Sequence, residues 1–259
     1  ILNNVMLSIE EIQLMIEKLR RLKHKDFQKI IDSNLKILED LSEAVDANNQ
    51  QMIDRLDKTP GWFTKDLDKK REKTNVDDLL FRMIQTKIFQ FSKTNLYNCI
   101  EIGPGNGMFS KELRSWRKIF FLDIHNLEEK IRRRFHPGHQ KHLLFFTTDG
   151  HSCDNIPKDS CNFVFSWDTF VFFTQEHIKN YLESIYQTLI DGGYCFIQYS
   201  NCHDEVDLSE AKRGYYNYNT KTAMEQMIKE AGYEVVEMNQ FRSGANYAIF
   251  RKPGKQNPV

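Results

Sequence analysis

Apolar residues recur every three or four positions along the first part of the chain, which is the spacing of one helix face. They are Ile12, Met15, Leu19, Leu22, Ile31, Leu35, Leu38, Leu41 and Val45. No glycine or proline precedes Pro60, so nothing interrupts helix formation over residues 8–57. The charged residues 23–26 interrupt the apolar pattern and favour a helical hairpin. We therefore predict an N-terminal helical segment, a hairpin or coiled coil, over residues 1–58. It either covers an edge of the next domain or joins two copies of the chain as a homodimer.

Residues 59–98 are predicted to form a connecting or lid segment followed by a helix. Pro60 and Gly61 favour a turn, and two large aromatic residues, Trp62 and Phe63, follow directly. Adjacent aromatic residues in a loop either anchor it on the core or close over a ligand. The second interpretation makes Trp62 a candidate substrate-binding residue.

From Tyr97 onward, short apolar runs alternate with helical segments, which indicates a parallel sheet with helices on both faces. Strands are predicted at residues 98–102, 118–122, 143–147, 162–166, 194–200, 234–240 and 247–251. Helices are predicted at residues 109–116, 127–134, 175–190 and 221–231. Glycines at 192 and 193 are interpreted as the stop of the third of these helices. The short link between the last two strands predicts an antiparallel hairpin, so the fold class is α/β with a seven-stranded, mostly parallel sheet.

A glycine-rich turn follows the first predicted strand. Residues 101–107 read Glu-Ile-Gly-Pro-Gly-Asn-Gly, and a helix is expected directly after them. Strand, glycine turn and helix together let the backbone approach a nucleotide-like ligand. Met108 stands where a dinucleotide fingerprint has its third glycine, and no Gly-Lys-Ser/Thr follows, which excludes a P-loop. Asp123 ends the next strand, where a carboxylate can accept hydrogen bonds from ribose hydroxyls.

These features resemble the class I S-adenosylmethionine-dependent methyltransferases. The resemblance rests on Glu-x-Gly-x-Gly-x-Gly, on the acidic end of the second strand, and on segments 148–150, 164–168 and 189–194 at matching positions. It covers residues 76–252 and implies a Rossmann-like core over residues 99–259, preceded by the N-terminal helical segment. It also implies S-adenosyl-L-methionine as the cofactor and S-adenosyl-L-homocysteine as its product.

The same resemblance implies a set of cofactor-binding residues. They are Glu101, Gly103, Gly105, Gly107, Asp123, Ile124, Asp149, Gly150 and Ser166. In this family the first glycines approach the methionine part, Glu101 helps to hold its amino group and Asp123 binds the ribose. Ile124 packs on the adenine and Asp149 accepts from its amino group. An alternative for Asp149 is that it only caps the turn before Gly150.

Candidate catalytic residues follow the fourth and fifth predicted strands, because in this fold the acceptor binds beyond the carboxyl ends of the strands. His203 is the first choice of general base, since the ordinary pKa of histidine is close to neutral pH, and Asp168 is the second. Alternatively, His203 is an ordinary loop histidine and Asp168 caps the next helix. A metal site formed by both residues with Asp204 is a further alternative, although the predicted site contains no metal.

The substrate-binding candidates are mostly aromatic. Residues 213–218 read Arg-Gly-Tyr-Tyr-Asn-Tyr, and tyrosine offers a stacking face and a hydroxyl to a sugar. The alternative is a loop that its aromatic side chains attach to the core. The candidates are Trp62, Tyr199, Arg213, Tyr215 and Tyr216.

Charge and cysteine content narrow the function classes. The chain has 36 Lys and Arg against 36 Asp and Glu, so its formal net charge of 0 gives no reason to expect nucleic acid as a partner. No apolar run reaches membrane-spanning length, and the five scattered cysteines suggest buried thiols in a cytoplasmic protein. We expect an O-methyltransferase acting on a small-molecule or carbohydrate acceptor, in surface polysaccharide biosynthesis. The alternatives are methylation of an amine, a phosphate-type oxygen or nucleic acid, and a non-catalytic scaffold that retains a cofactor pocket.

Overall fold

The computed structural model describes residues 78–92 and 97–254. The predicted helical segment at residues 1–58 and the aromatic pair at 62 and 63 lie outside these residues. Within them, one helix, α1 (Asp78–Phe91), precedes a seven-stranded sheet. No helix in this part of the chain is long and apolar enough to cross a membrane.

The sheet confirms the predicted mixed topology. Its strands are β1 (Asn98–Ile102), β2 (Lys118–Asp123), β3 (Leu143–Thr147), β4 (Cys161–Ser166), β5 (Leu189–Gln198), β6 (Glu234–Gln240) and β7 (Asn246–Arg251). Their spatial order is β3-β2-β1-β4-β5-β7-β6. The first five pair in parallel, whereas β7 is antiparallel to both β5 and β6. After β1 the chain forms β2 and β3 on one side of it, and β4 then pairs with the other side of β1. The strand order therefore reverses between β1 and β4, and ligands of such sheets bind beyond the carboxyl ends of the strands at this point.

The central strands have the continuous apolar character of strands that are buried on both faces. Successive residues face opposite sides, so Ile100 and Ile102 belong to one buried cluster and Cys99 to the other. Val164 and Phe163 on β4 divide in the same way. All five cysteines are buried free thiols.

Helices cover both faces of the sheet, although their bounds differ from prediction. After α1 they are α2 (Glu128–Arg132), α3 (Gln175–Thr188), α4 (Glu205–Lys212) and α5 (Lys221–Glu230). The sequence pattern did not predict α4. The expected helix at residues 109–116 is only a short 3-10 helix, Ser110–Leu113.

The glycines after α3 also have a different role from the predicted one. Helix α3 ends at Thr188, and β5 begins at the next residue and includes both glycines. The backbone N–H of Gly192 donates to Lys252 O at 2.9 Å, and the N–H of Lys252 donates to Gly193 O at the same distance. Pairing with the residue after β7 therefore makes this segment part of a strand instead of a helix stop.

Candidate active site

The carboxyl ends of β1, β2 and β3 are held together by backbone hydrogen bonds that continue beyond the strands. The N–H of Gly103 donates to Leu122 O at 2.8 Å, and the N–H of Thr148 donates to Asp123 O at 3.0 Å. The loops that carry the predicted cofactor residues therefore start from adjacent points at one edge of the sheet.

The three glycines of the loop after β1 are needed for different reasons. All have positive φ, with values of 67° at Gly103, 54° at Gly105 and 74° at Gly107. A Cβ at Gly103 would lie 2.1 Å from Oγ1 of Thr169, and one at Gly107 would lie 2.9 Å from the side chain of Arg134. A Cβ at Gly105 would meet nothing within 4 Å. At Gly103 and Gly107 the absent side chain leaves room for neighbouring protein side chains. At Gly105 the space where a side chain would lie contains no described protein atom.

Glu101 lies at the end of β1 with only 3% of its surface exposed. Its Oε2 atom accepts no hydrogen bond from the part of the chain that the structure describes. Burial raises the pKa of Glu101 to about 8, the Ser110 side chain opposes this rise, and the nearby carboxylate of Asp123 adds to it. A buried acceptor without a donor fits a cationic ligand group such as the methionine ammonium of the expected cofactor.

Asp123 lies where β2 ends, beside a cleft. Its Oδ1 atom accepts a hydrogen bond from the backbone N–H of His125 at 3.0 Å. Burial raises the pKa of Asp123, although the N–H groups of His125, Gly105 and Ile124 oppose the rise. The residues that line the cleft are Pro104, Phe121, Asp123, His125, Asn126, Leu127, Glu128, Phe145, Phe146 and Thr147. A carboxylate at the mouth of a partly apolar cleft fits the ribose and base of a nucleoside.

The turn after β3 is in contact with the residue that follows β2. A Cβ at Gly150 would lie 3.2 Å from Cγ2 of Ile124, so these two predicted cofactor residues are neighbours. Asp149 is exposed, and its Oδ1 atom accepts from the backbone N–H of His151 at 2.9 Å. This hydrogen bond holds the pKa of Asp149 below its ordinary value. One carboxylate oxygen therefore caps the turn, which is the alternative that the sequence left open.

Asp168 follows β4 in a left-handed backbone conformation, with φ of 56°. Its N–H donates to Oε1 of Gln198 at 2.6 Å. The Asp168 residue is exposed to solvent. The surrounding protein raises the pKa of Asp168 to about 6, against the effect of Gln198. Burial raises the pKa of the Tyr216 hydroxyl, and the charges of Asp168, Asp207 and Glu210 add to this rise.

The tyrosine-rich loop is attached to the segment after β4. The N–H of Asn217 donates to Val171 O at 2.7 Å, and the ring of Tyr216 meets that of Phe172 edge to face, with centroids 5.9 Å apart. Arg213 lies over the ring of Tyr215 at 4.7 Å. The structure thus packs Tyr216 on the segment after β4 that also carries Asp168. Arg213 and Tyr215, which come earlier in the loop, are exposed.

Other predicted residues lie elsewhere. Tyr199 is 1% exposed and belongs to the core, so it is not placed to contact an acceptor. Ser166 is also buried, and its hydroxyl donates to Ile102 O at 2.9 Å. His203 is exposed in the turn before α4. Trp62 lies outside the described residues.

The alternative metal site is not formed. Asp204 accepts hydrogen bonds from the Ser243 hydroxyl and the Gly244 N–H of the β6–β7 turn, at 2.9 and 3.1 Å. Over residues 78–92 and 97–254, no group of three or more His, Cys, Asp and Glu side chains could hold a metal ion. The structure also identifies two residues that the sequence reasoning missed, Gln198 and Thr169. Gln198 hydrogen-bonds to Asp168, and Thr169 packs against Gly103. Both contacts join segments that are distant in sequence, so no local sequence pattern predicts them.

Comparison with solved structures confirms the fold. A chain from the Haloferax volcanii complex between the Trm112 methyltransferase activator and a protein described as a methyltransferase is 15% identical, with a TM-score of 0.56, over 69% of this chain and 91% of that chain. An S-adenosylmethionine-dependent methyltransferase of Mesorhizobium loti is 10% identical, with a TM-score of 0.52, over 64% of this chain and 96% of that chain. The N-methyltransferase NodS of Bradyrhizobium japonicum, solved with S-adenosyl-L-homocysteine, is 15% identical, with a TM-score of 0.54, over 80% of this chain and 99% of that chain.

A search of curated proteins found no match. A family model, described as the methyltransferase domain, matches residues 35–238, which is most of the chain. The glycine loop, the buried Glu101 and the carboxylate of Asp123 fit the cofactor of that family. The chain therefore belongs to the methyltransferase domain family and is an S-adenosylmethionine-dependent methyltransferase.

Proposed function

We propose that this protein methylates a hydroxyl group of a sugar or a carbohydrate-linked acceptor, with Asp168 as the general base. The observation that carries the proposal is the position of Asp168. Its carboxylate is accessible after β4, next to the strand that carries the glycine loop, and its pKa is raised to about 6. A hydroxyl acceptor must lose its proton during transfer, and a carboxylate with a pKa close to neutral is a better base than an ordinary one.

The cofactor, when bound, supplies a methyl group on a sulfonium, which is a good leaving group. The protein therefore contributes mainly by holding the acceptor oxygen in line with that methyl group. We assign Glu101 to the methionine amino group, the open face of Gly105 to the methionine backbone, and Asp123 to the ribose hydroxyls. Ile124 and Gly150 form the adenine side.

Tyr216 and Phe172 support a carbohydrate acceptor. Their ring centroids are 5.9 Å apart, and Phe172 belongs to the segment after β4 that also carries Asp168. Sugars pack their apolar faces on aromatic rings and direct their hydroxyls to polar groups. A role in surface polysaccharide biosynthesis, a cytoplasmic location and a homodimer through the N-terminal segment are parts of the same proposal.

An amine acceptor is the second candidate. A carboxylate beside aromatic rings also suits a cationic amine, which is attracted to both. One solved structure with this fold is named an N-methyltransferase. Asp168 would then bind the ammonium form and accept its proton before transfer.

Methyl-labelled S-adenosylmethionine distinguishes these acceptors. The purified protein is incubated with extract of the source organism, which is then separated into polysaccharide, sugar-nucleotide, amine, protein and nucleic-acid fractions. Label in the carbohydrate fractions supports the proposal, and label in the amine fraction supports the second candidate. Label confined to protein or nucleic acid contradicts both.

The role of Asp168 is tested with the labelled acceptor. Asp168→Asn should lower turnover by about 100-fold or more, since general-base catalysis contributes ~10²–10⁴-fold. Cofactor affinity should hold. Asp154→Asn is the matched control, because Asp154 is an exposed aspartate in a loop. Equal turnover in the two variants would remove Asp168 from the mechanism.

A further inference from the structure

Two carboxylates face the same glycine loop from neighbouring strands. Glu101 comes from β1 and Asp123 from β2, and the Asp123 charge raises the pKa of Glu101. The N–H of Gly105, in the loop between them, is hydrogen-bonded to Asp123. The hydroxyl of Ser110 lowers the pKa of Glu101, but the Oε2 atom of Glu101 is buried and accepts no hydrogen bond within residues 78–92 and 97–254.

Within residues 78–92 and 97–254, the charged group that shifts the pKa of Glu101 is Asp123 on β2, and it raises that pKa. The Cys99 thiol on the same strand also interacts with Glu101, and it is not a cation. Arg134, whose side chain lies against Gly107 of the loop, does not contribute to the pKa shift of Glu101. The polar group opposite, from the 3-10 helix, is the uncharged hydroxyl of Ser110. An ionised carboxylate that is 3% exposed and has one oxygen without a donor is disfavoured. Glu101 therefore holds a proton at neutral pH in the cofactor-free protein, in agreement with its pKa of about 8.

We propose that Glu101 releases this proton to solvent when the α-ammonium group of the cofactor binds, so that cofactor affinity is coupled to pH. The proposal rests on the assignment of Glu101 to the methionine amino group. The ammonium supplies the missing donor and a compensating charge, which together stabilise the carboxylate. No covalent bond other than the O–H of Glu101 is broken, and the proton is taken up by buffer.

Calorimetry with S-adenosyl-L-homocysteine tests the coupling without any acceptor, because this product carries the same α-ammonium group. Binding is measured at pH 7 in buffers that differ in ionisation enthalpy, and the slope gives the protons released. We expect a release of about 0.9 proton per ligand at pH 7 and about 0.5 at pH 8. Affinity should rise almost tenfold between pH 6 and 7.

Two controls test whether the released proton comes from Glu101. Glu101→Gln keeps the shape of the side chain but cannot titrate, so it should bind the ligand without release, and circular dichroism shows whether it is folded. 5′-Methylthioadenosine keeps the nucleoside and the sulfur but lacks the amino acid part, and it should bind the native protein without release.

Each outcome decides between the proposals. Binding of S-adenosyl-L-homocysteine with no proton release overturns the coupling and leaves the methyltransferase function intact. Equal release by Glu101→Gln, or with 5′-methylthioadenosine, overturns the assignment to Glu101. A complete absence of ligand binding would instead overturn the cofactor site, and the coupling with it.

Discussion

The side chain of Gln198 holds the backbone of Asp168. Its Oε1 atom accepts the N–H of Asp168 at 2.6 Å, and its Nε2 atom donates to Gly244 O at 3.3 Å. Gln198 is 2% exposed at the end of β5. Gln198 thereby connects Asp168, in the segment after β4, to the turn between β6 and β7. A left-handed conformation is rare for a residue other than glycine, so the proposed base depends on this support.

Replacing Gln198 by leucine should destabilise the protein by about 1–3 kcal/mol, because two hydrogen bonds to the backbone are lost. Urea unfolding measures the change. Gln226→Leu is the matched control, since Gln226 is exposed and its side-chain amide donates to Glu230 on the same helix. Equal stability of both variants would show that the Gln198 contacts contribute nothing.

Gly103→Ala and Gly105→Ala should separate folding from binding. The first places a methyl group 2.1 Å from Thr169 Oγ1 and should cost about 3 kcal/mol of stability. The second meets no protein atom, so only the left-handed backbone penalty of about 1 kcal/mol applies. Its binding of S-adenosyl-L-homocysteine should nevertheless fall at least tenfold, because the methyl group enters the proposed cofactor space. Unchanged affinity in calorimetry would remove Gly105 from the site.

Asp123→Asn should weaken the binding of S-adenosyl-L-homocysteine by about 10- to 100-fold, as expected when a charged hydrogen-bond acceptor is neutralised. The shape of the side chain is retained, so the unfolding midpoint should change little. Asp154→Asn serves as the control for a neutralised surface aspartate. The ribose assignment is wrong if both variants bind like the native protein.

Asp204 should make stability depend on pH. Partial burial alone would raise the pKa of Asp204, but hydrogen bonds from Ser243, from Gln240 and from the N–H groups of Asp207 and Gly244 hold it below its ordinary value. A lowered pKa stabilises the folded state above the ordinary aspartate pKa of about 3.9, and this contribution is lost as the pH falls through the folded-state pKa.

Asp204→Ala should therefore cost about 1–2 kcal/mol at pH 7, where the cap of α4 is removed, and less at about pH 3. Urea unfolding of both proteins at the two pH values measures the difference. A difference that is the same at both pH values would exclude an electrostatic contribution.

His203→Ala should leave turnover within about twofold of native, because His203 is exposed in the turn before α4 and the proposed base is Asp168. This prediction replaces our first expectation that His203 is the base. The labelled transfer assay measures it once an acceptor fraction is identified. A loss of about 100-fold with intact cofactor binding would restore His203 to the mechanism.

Much of the site was predictable because strand ends in a parallel sheet meet at one edge. Because β1 and β2 are adjacent parallel strands, Glu101 and Asp123 both lie at the carboxyl ends of these strands, at the same edge of the sheet. The burial of Tyr199 was not predictable in the same way. Successive residues of a strand face different sides, and the residue before it, Gln198, is the one that reaches Asp168.

The sequence by itself determined the α/β class, the bounds of most strands and the glycine loop, because apolar runs and glycines report local geometry and burial directly. Only the tertiary structure showed that Gly105 is the loop glycine with free space beside it. It also showed that Gln198 holds the backbone of Asp168 through a hydrogen bond. Thr169 lies on Gly103 across 66 residues of sequence, and Gln198 reaches Asp168 across 30. Such contacts depend on how distant segments pack together, and no local period or spacing encodes that packing.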